Sequence, residues 1–254
     1  MLLELKEHVW KANLDLVKYK LVTYTFGNVS GIDRNQGLLV IKPSGMAYEE
    51  LMPDDMVVVD LEGRIVEGRL NPSSDTPSHI EIYKAFKEVA GITHTHSEYA
   101  TMFAQANREI PCLGTTHADH FHGTIPITRM ITEEEIEENY EMNTGKVVVE
   151  RFSDLDPMEM PGVLVVGHGA FTWGRSPGES VLNSLILEHI SKTAFGTLAL
   201  NSRCQAIPDC LLNKHFRRKH EGKNRLHHRY RSAYRPEFLY RHGPEYQFNK
   251  MVMD

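Results

Sequence analysis

The chain predicts an α/β fold in which a central sheet is covered by helices, and three observations point to it. Short β-branched runs such as Leu38-Leu39-Val40-Ile41 and Met56-Val57-Val58-Val59-Asp60 are bounded by Gly, Pro and Asp, as buried strands are. Apolar residues at helical spacing occupy two long segments, Leu3 to Tyr19 and Gly178 to Leu200. Between them the two patterns interleave without an internal repeat or a low-complexity linker. With 254 residues and 41% hydrophobic content, the chain can build one large domain around an ordinary core.

In order, Leu5, Val9, Ala12, Leu16 and Val17 make the first segment an amphipathic helix. Gly27-Asn28-Val29-Ser30-Gly31 breaks that pattern. The two β-branched runs follow, with a hairpin turn at Glu62-Gly63. The polar stretch Asn71 to Ser78 leads into a helical pattern from His79 to Val89, then a strand from Ile92 to His96 and a helix from Ser97 to Gln105. Ile110 to Leu113 and Ile125 to Thr128 are expected as strands on either side of a histidine-rich segment. Thr132 followed by three glutamates opens a helix whose acids suit the macrodipole. Val147 to Glu150 and Val163 to Gly167 are expected as strands before the last long helix.

Composition narrows the function. A net charge of -6 argues against nucleic-acid binding by the whole chain. No uncharged apolar run is long enough for a membrane span, and Met1 to Glu7 carries acids unlike a signal peptide, so a cytoplasmic protein is expected. Three scattered cysteines, Cys112, Cys204 and Cys210, supply neither a disulfide framework nor a thiolate metal site. After Asn224, arginines alternate with aromatic residues without an apolar period. That pattern fits nucleic-acid contacts or, better, a poorly ordered or non-native tail.

His94 and His96 carry the strongest chemical signal. On a strand, residues i and i+2 share a face, so both imidazoles can converge on one ion. His168, at the end of the apolar run 161–166, is a third candidate, and a zinc site takes three or four such ligands. The plain alternative is coincidence in a chain with 14 histidines. Asp75 is either a fourth ligand, a base or the cap of the following helix. Lys42-Pro43-Ser44-Gly45 and Asn71-Pro72-Ser73-Ser74 offer hydroxyls and backbone N–H groups in tight turns, and Gly27-Asn28 is a third such turn. With the positive charge of Lys42 they suit a phosphate monoester, though each by itself is an ordinary turn. A metal facing a phosphate pocket suits Lewis-acid chemistry on a sugar phosphate, with Asp119 the best-placed carboxylate for proton transfer. His117, His120 and His122 read as structural or surface histidines.

In order, the motifs Gly27-Asn28-Val29-Ser30, Ile41-Lys42-Pro43-Ser44-Gly45, Pro72-Ser73-Ser74-Asp75-Thr76, His94-Thr95-His96-Ser97, Gly114-Thr115-Thr116-His117-Ala118-Asp119, Asn143-Thr144-Gly145 and His168-Gly169 with Phe171 and Trp173-Gly174 resemble the L-ribulose-5-phosphate 4-epimerases of the class II aldolase and adducin superfamily. The resemblance covers residues 3 to 224. It implies a three-layer α/β/α fold with a central, largely antiparallel sheet in a domain over 1–224. It also implies a C4 homotetramer with sites between subunits, and Zn2+ held by Asp75, His94, His96 and His168. Mn2+ or Co2+ also suits such a mixed site. Family members break and remake the C3–C4 bond by retro-aldol and aldol steps, and the same epimerisation serves arabinose and ascorbate catabolism. By matching position, Asn28, Ser44, Gly45, Ser73 and Ser74 bind phosphate, Asp119 is one acid/base, and Thr115 and His215 assist.

The C-terminus departs from that pattern. Relatives end in Lys-His-Gly, two variable residues and Ala-Tyr-Tyr-Gly, whose second tyrosine is the partner acid/base. Here, after Lys219-His220-Glu221-Gly222 and one inserted residue, His227 stands in its place, and residues 225–254 have no counterpart. Three outcomes are open: His227 substitutes, Tyr230 reaches in, or activity is impaired. Asp at position 75 favours an epimerase over a same-fold aldolase of a short ketose phosphate. The retained ligands oppose a non-catalytic, adducin-like binding domain. Absence of His-Glu-x-x-His opposes a zinc hydrolase.

Overall fold

Alternation within single strands decides the layering. In the computed structural model, which describes residues 2–220, β2 (Leu38–Ile41) and β3 (Val57–Asp60) are buried on both faces. Leu39, Ile41, Val57 and Val59 join the larger core, while Val40 and Val58 join Val9 in a smaller one on the other side. A strand with apolar residues at every position must be covered twice, which makes three layers. The seven strands run in the order β4-β3-β2-β1-β5-β7-β6. The others are β1 (Asn28–Asp33), β4 (Ile65–Glu67), β5 (Gly91–Thr95), β6 (Gly162–Leu164) and β7 (Ala170–Gly174). Every neighbouring pair is antiparallel.

Helices α1 (Leu3–Lys18) and α6 (Pro177–Leu200) lie against β1, and α6 extends over β5 and β7. The opposite face is covered by α2 (Thr76–Ala85), which packs on α5 (Glu133–Arg151). Three shorter α-helices, α3 (Glu98–Gln105), α4 (Thr115–Ala118) and α7 (Asp209–His220), and two single 3-10 turns, Tyr48–Glu50 and Pro53–Asp55, complete the described chain.

The structure bears out the first helix, both β-branched strands, the Glu62-Gly63 turn and the last long helix. The Thr132 cap is also seen: its hydroxyl accepts from Glu135 N at 3.3 Å while Glu135 Oε2 accepts from Thr132 N at 2.9 Å. Four expectations are corrected. Gly27-Asn28 is not simply a turn, because Asn28 opens the central strand β1. A Cβ on Gly31 would lie 2.8 Å from Pro177 Cγ and 2.9 Å from Leu5 Cδ1, so glycine is there to let two helices close on the sheet. Val147 to Glu150 is helix, not strand: Val147 and Val148 are buried in α5. Gly145 brings that helix within 2.8 Å, Cβ position to Ser78 Cα, of α2, and packing overrides β propensity.

The segments 110–113 and 125–128 supply only isolated bridges, Ile110 to Ile125 and Ile127 to Leu164, in place of strands. The helix expected over 79–89 begins at Thr76 and ends at Ala85. β7, which follows the His168-Gly169 turn directly, and α7 were not anticipated. β7 is buried at every position and so has no alternation to detect. Among the described residues no helix is long and apolar enough to cross a membrane. Residues 225–254, with His227 and Tyr230, lie outside the described residues.

Candidate metal centre

β5 carries the centre at its C-terminal end. Thr93 and Thr95 point to α6, where their hydroxyls meet Ser180 Oγ at 2.7 Å and Ser184 Oγ at 3.3 Å. The alternate residues Ile92, His94 and His96 therefore share the face that looks toward α2. The register sets Asn28 of β1 opposite His94 on one side and Phe171 of β7 opposite it on the other. Phe171 stacks on the His94 ring at 4.3 Å. His168 arrives from the turn between β6 and β7. Gly169 lets that turn approach, since a Cβ there would stand 2.6 Å from Thr95 O and 2.9 Å from His96 Cδ2. Gly27, with φ +85°, likewise packs against the His94 carbonyl, where a Cβ would lie at 2.8 Å.

The three imidazoles converge, with one ring nitrogen from each of His94, His96 and His168 within 4.8 Å of the others. His94 Nε2 and His96 Nε2 are 3.0 Å apart, close to the ~3.3 Å that two nitrogens take on one tetrahedral zinc. His94 Nδ1–H donates to Ala170 O at 3.0 Å, which leaves the Nε2 lone pair for a ligand bond. Burial, with the neighbouring His94, pushes His96 down to about 4 and His168 to about 3. Neutral imidazoles with facing lone pairs are what a cation requires, so these residues fit a divalent metal.

Asp75 borders this set. Its side chain makes no cap bond to α2, which removes the capping alternative. Instead Asp75 Oδ2 accepts from Asn28 Nδ2 at 2.7 Å. Burial raises its pKa, but His94, His79, the Asn28 donor and His168 together hold the carboxyl below its ordinary value. Asn28 Nδ2 also reaches Ser73 Oγ at 3.1 Å. The two polar loops are pinned side by side: Ser44 N donates to Asn71 O at 2.9 Å, and Ser73 N to Lys42 O at 3.0 Å. Ser44, Gly45 and Ser74 are exposed at the tips. Lys42 is placed differently from a reaching cation. It is buried, with Nζ donating to Met46 O at 2.7 Å and Pro43 O at 3.3 Å, and burial lowers its pKa to about 8. Lys42 braces the loop from behind.

Asp119 belongs to a second cluster. It caps the C-terminal end of α4, where Oδ1 meets His215 Nδ1 at 3.1 Å and accepts from Arg218 Nη2 at 3.3 Å, both from α7. Thr115 opens the same short helix and is exposed. The bonds of this cluster and those of the histidine triad share no residue. His117, whose Nε2–H donates to Gly123 O, and His122, stacked on Phe216, serve structural contacts, in keeping with the sequence reading. Two features escaped the sequence. Tyr140 Oη lies 3.3 Å from His168 Nδ1, brought there by a break in α5 at Asn139. His79, one helical turn after Asp75, joins Ser30 and Tyr83 in a buried network.

Comparison with known proteins agrees with this geometry. The chain is 50% identical over 217 residues to "L-ribulose-5-phosphate 4-epimerase UlaF" of Salmonella paratyphi B, covering 85% of this chain and 95% of that relative. The UlaF protein of Salmonella typhi matches to the same extent. Among solved structures, an L-fuculose 1-phosphate aldolase superposes with a TM-score of 0.68 at 24% identity, covering 87% of this chain and 96% of the other. An aldolase II superfamily protein from Pseudomonas syringae gives 0.71 at 15% identity, covering 93% and 92%. Both carry the same fold. Residues 7–195 match the Class II Aldolase and Adducin N-terminal domain. The chain belongs to the class II aldolase and adducin family.

Proposed function

We propose that the chain is a metal-dependent L-ribulose-5-phosphate 4-epimerase, interconverting L-ribulose 5-phosphate and D-xylulose 5-phosphate by C3–C4 cleavage and rejoining. The observation that carries the reading is the convergent triad His94, His96 and His168 in a chain 50% identical to an enzyme of that name. His94, His96, His168 and Asp75 would hold the metal, Zn2+ by preference for this donor set. When bound, it supplies a Lewis acid for the substrate's oxygen atoms.

The chain's own residues do the rest. Asn28, Ser44, Gly45, Ser73 and Ser74 bind the phosphate with hydroxyl, amide and backbone donors at the paired loops, with Gly27 and Lys42 shaping the pocket wall. Asp119 holds or releases the proton, kept in place by His215, and Thr115 lines the same side. Their hydrogen bonds share no residue with those of the triad, which suits a homotetramer whose sites lie between subunits. A same-fold aldolase remains the second reading, favoured by the fold match to L-fuculose 1-phosphate aldolase.

The test is turnover of L-ribulose 5-phosphate by the Zn2+-loaded protein beside a version with Ala-Tyr-Tyr-Gly-Gln in place of the chain from Arg225. Formation of D-xylulose 5-phosphate by either version supports the reading. Equal rates assign the partner acid/base to His227 or Tyr230, and turnover by the altered version only assigns the loss to the natural C-terminus. Silence in both overturns the epimerase.

A further inference from the structure

His79 is fully buried, yet its Nε2 has no hydrogen-bond partner. The tautomer follows from the network on its other side. His79 Nδ1 lies 2.7 Å from Ser30 Oγ, which lies 2.8 Å from Tyr83 Oη. If Tyr83 donates to Ser30 and Ser30 to Nδ1, every hydroxyl proton is used and His79 carries its proton on Nε2. The reverse direction strands two groups, the Tyr83 proton and the Nε2 lone pair. The first arrangement is favoured, and it leaves a buried N–H donor waiting for an acceptor.

The nearby ring of Phe171, T-shaped at 5.8 Å, is only a weak acceptor. Asp75 is the natural one. It precedes His79 by one helical turn, its backbone carbonyl accepts the His79 N–H at 3.1 Å, and the two side chains interact electrostatically. Its hydrogen bond from Asn28 engages Oδ2 and leaves Oδ1 available.

We propose that His79 is a positioning residue for Asp75: the Ser30–Tyr83 network fixes its tautomer, and its Nε2–H orients the carboxylate when Asp75 joins the histidine triad around the metal. The inference rests on Asp75 being a ligand, as read above. An outer donor of this kind strengthens metal binding without touching the ion. Removing the Nε2–H donor alone costs the metal-free fold little, whereas removing the whole imidazole also takes the acceptor from the buried Ser30 hydroxyl.

Zn2+ affinity by chelator competition, metal-free Tm and histidine side-chain NMR test it on the full chain. His79→Leu is expected to weaken Zn2+ binding by about 10- to 100-fold, with the metal-free Tm lowered by the loss of the Ser30 acceptor. His79→Gln, which keeps an N–H donor, recovers much of the affinity. Combined with Asp75→Asn, His79→Leu adds no further loss. NMR of the unaltered protein shows the His79 proton on Nε2. Wild-type affinity in His79→Leu, or a proton on Nδ1, overturns the inference. If His79→Leu does not fold, the His79→Gln affinity and the NMR assignment decide. Asp75→Asn separates the failures. Unchanged affinity there removes Asp75 from the ligand set and the inference with it, whereas a loss there with none in His79→Leu sinks only the role of His79.

Discussion

The two chemical clusters are built from unlike material. The histidine triad hangs on β5 and on the turn before β7, interior strands of a seven-stranded sheet that are buried at every position. Glycines 27 and 169 lock its turns against β5 by contacts no larger residue fits. The Asp119 cluster instead rests on a four-residue helix and on α7, whose one buried residue is Phe216. A ligand set must hold its geometry within tenths of an ångström, which a central sheet provides. A proton-transfer group must reach substrate and let product leave, and a peripheral helix with few buried contacts is the softer support. In the proposed reading the molecule separates a rigid metal half from a more loosely anchored acid–base half.

The largest expected effect comes from breaking the rigid half. His94→Ala removes the ligand at the centre of the triad and should abolish both stoichiometric Zn2+ binding and turnover, measured by metal analysis and the epimerase assay. Retained metal with full activity would break the comparison at its root. Next, Asp119→Asn should lower turnover by about a hundredfold or more while Zn2+ content stays at the wild-type level. A parallel loss of metal would show the two clusters to be one unit.

The smallest effect is on stability against acid. Burial holds His79 and His168 at about 3 and His96 at about 4, against an unfolded value of 6.5. Because the unfolded chain binds protons more tightly, these groups contribute their full stability above pH 6.5 and lose it as pH falls toward 3. The metal-free Tm should therefore decline below about pH 6.5, and His79→Leu should flatten part of that decline. A Tm independent of pH across this window would mean that the imidazoles are not held neutral by the fold.

Much of the metal half was legible because its signals are local. His-x-His on a strand shares a face by geometry, and a histidine after an apolar run stands at a strand end. The paired phosphate loops were legible as turns, but their contact through Ser44 and Ser73 depends on partners about 30 residues apart in sequence. The burial of Lys42 is hidden for the same reason: nothing in Lys42-Pro43-Ser44 reveals that Met46 and Tyr48 enclose its amine. Val147-Val148-Val149 looked like a strand because β propensity is weak beside the burial of a helix face against α2.

By itself, the sequence determined the α/β class, the helices at 3–18 and 177–200, the β-branched strands and the three histidines, since each depends on spacing within one segment. Only the tertiary structure decided that Asn28 begins a central strand opposite His94, that Asp75 turns to Asn28 instead of capping its helix, and that His79 keeps a buried donor one turn away. Those facts depend on strand order and on helices closing over glycines, and packing between distant segments leaves no periodic mark on the chain.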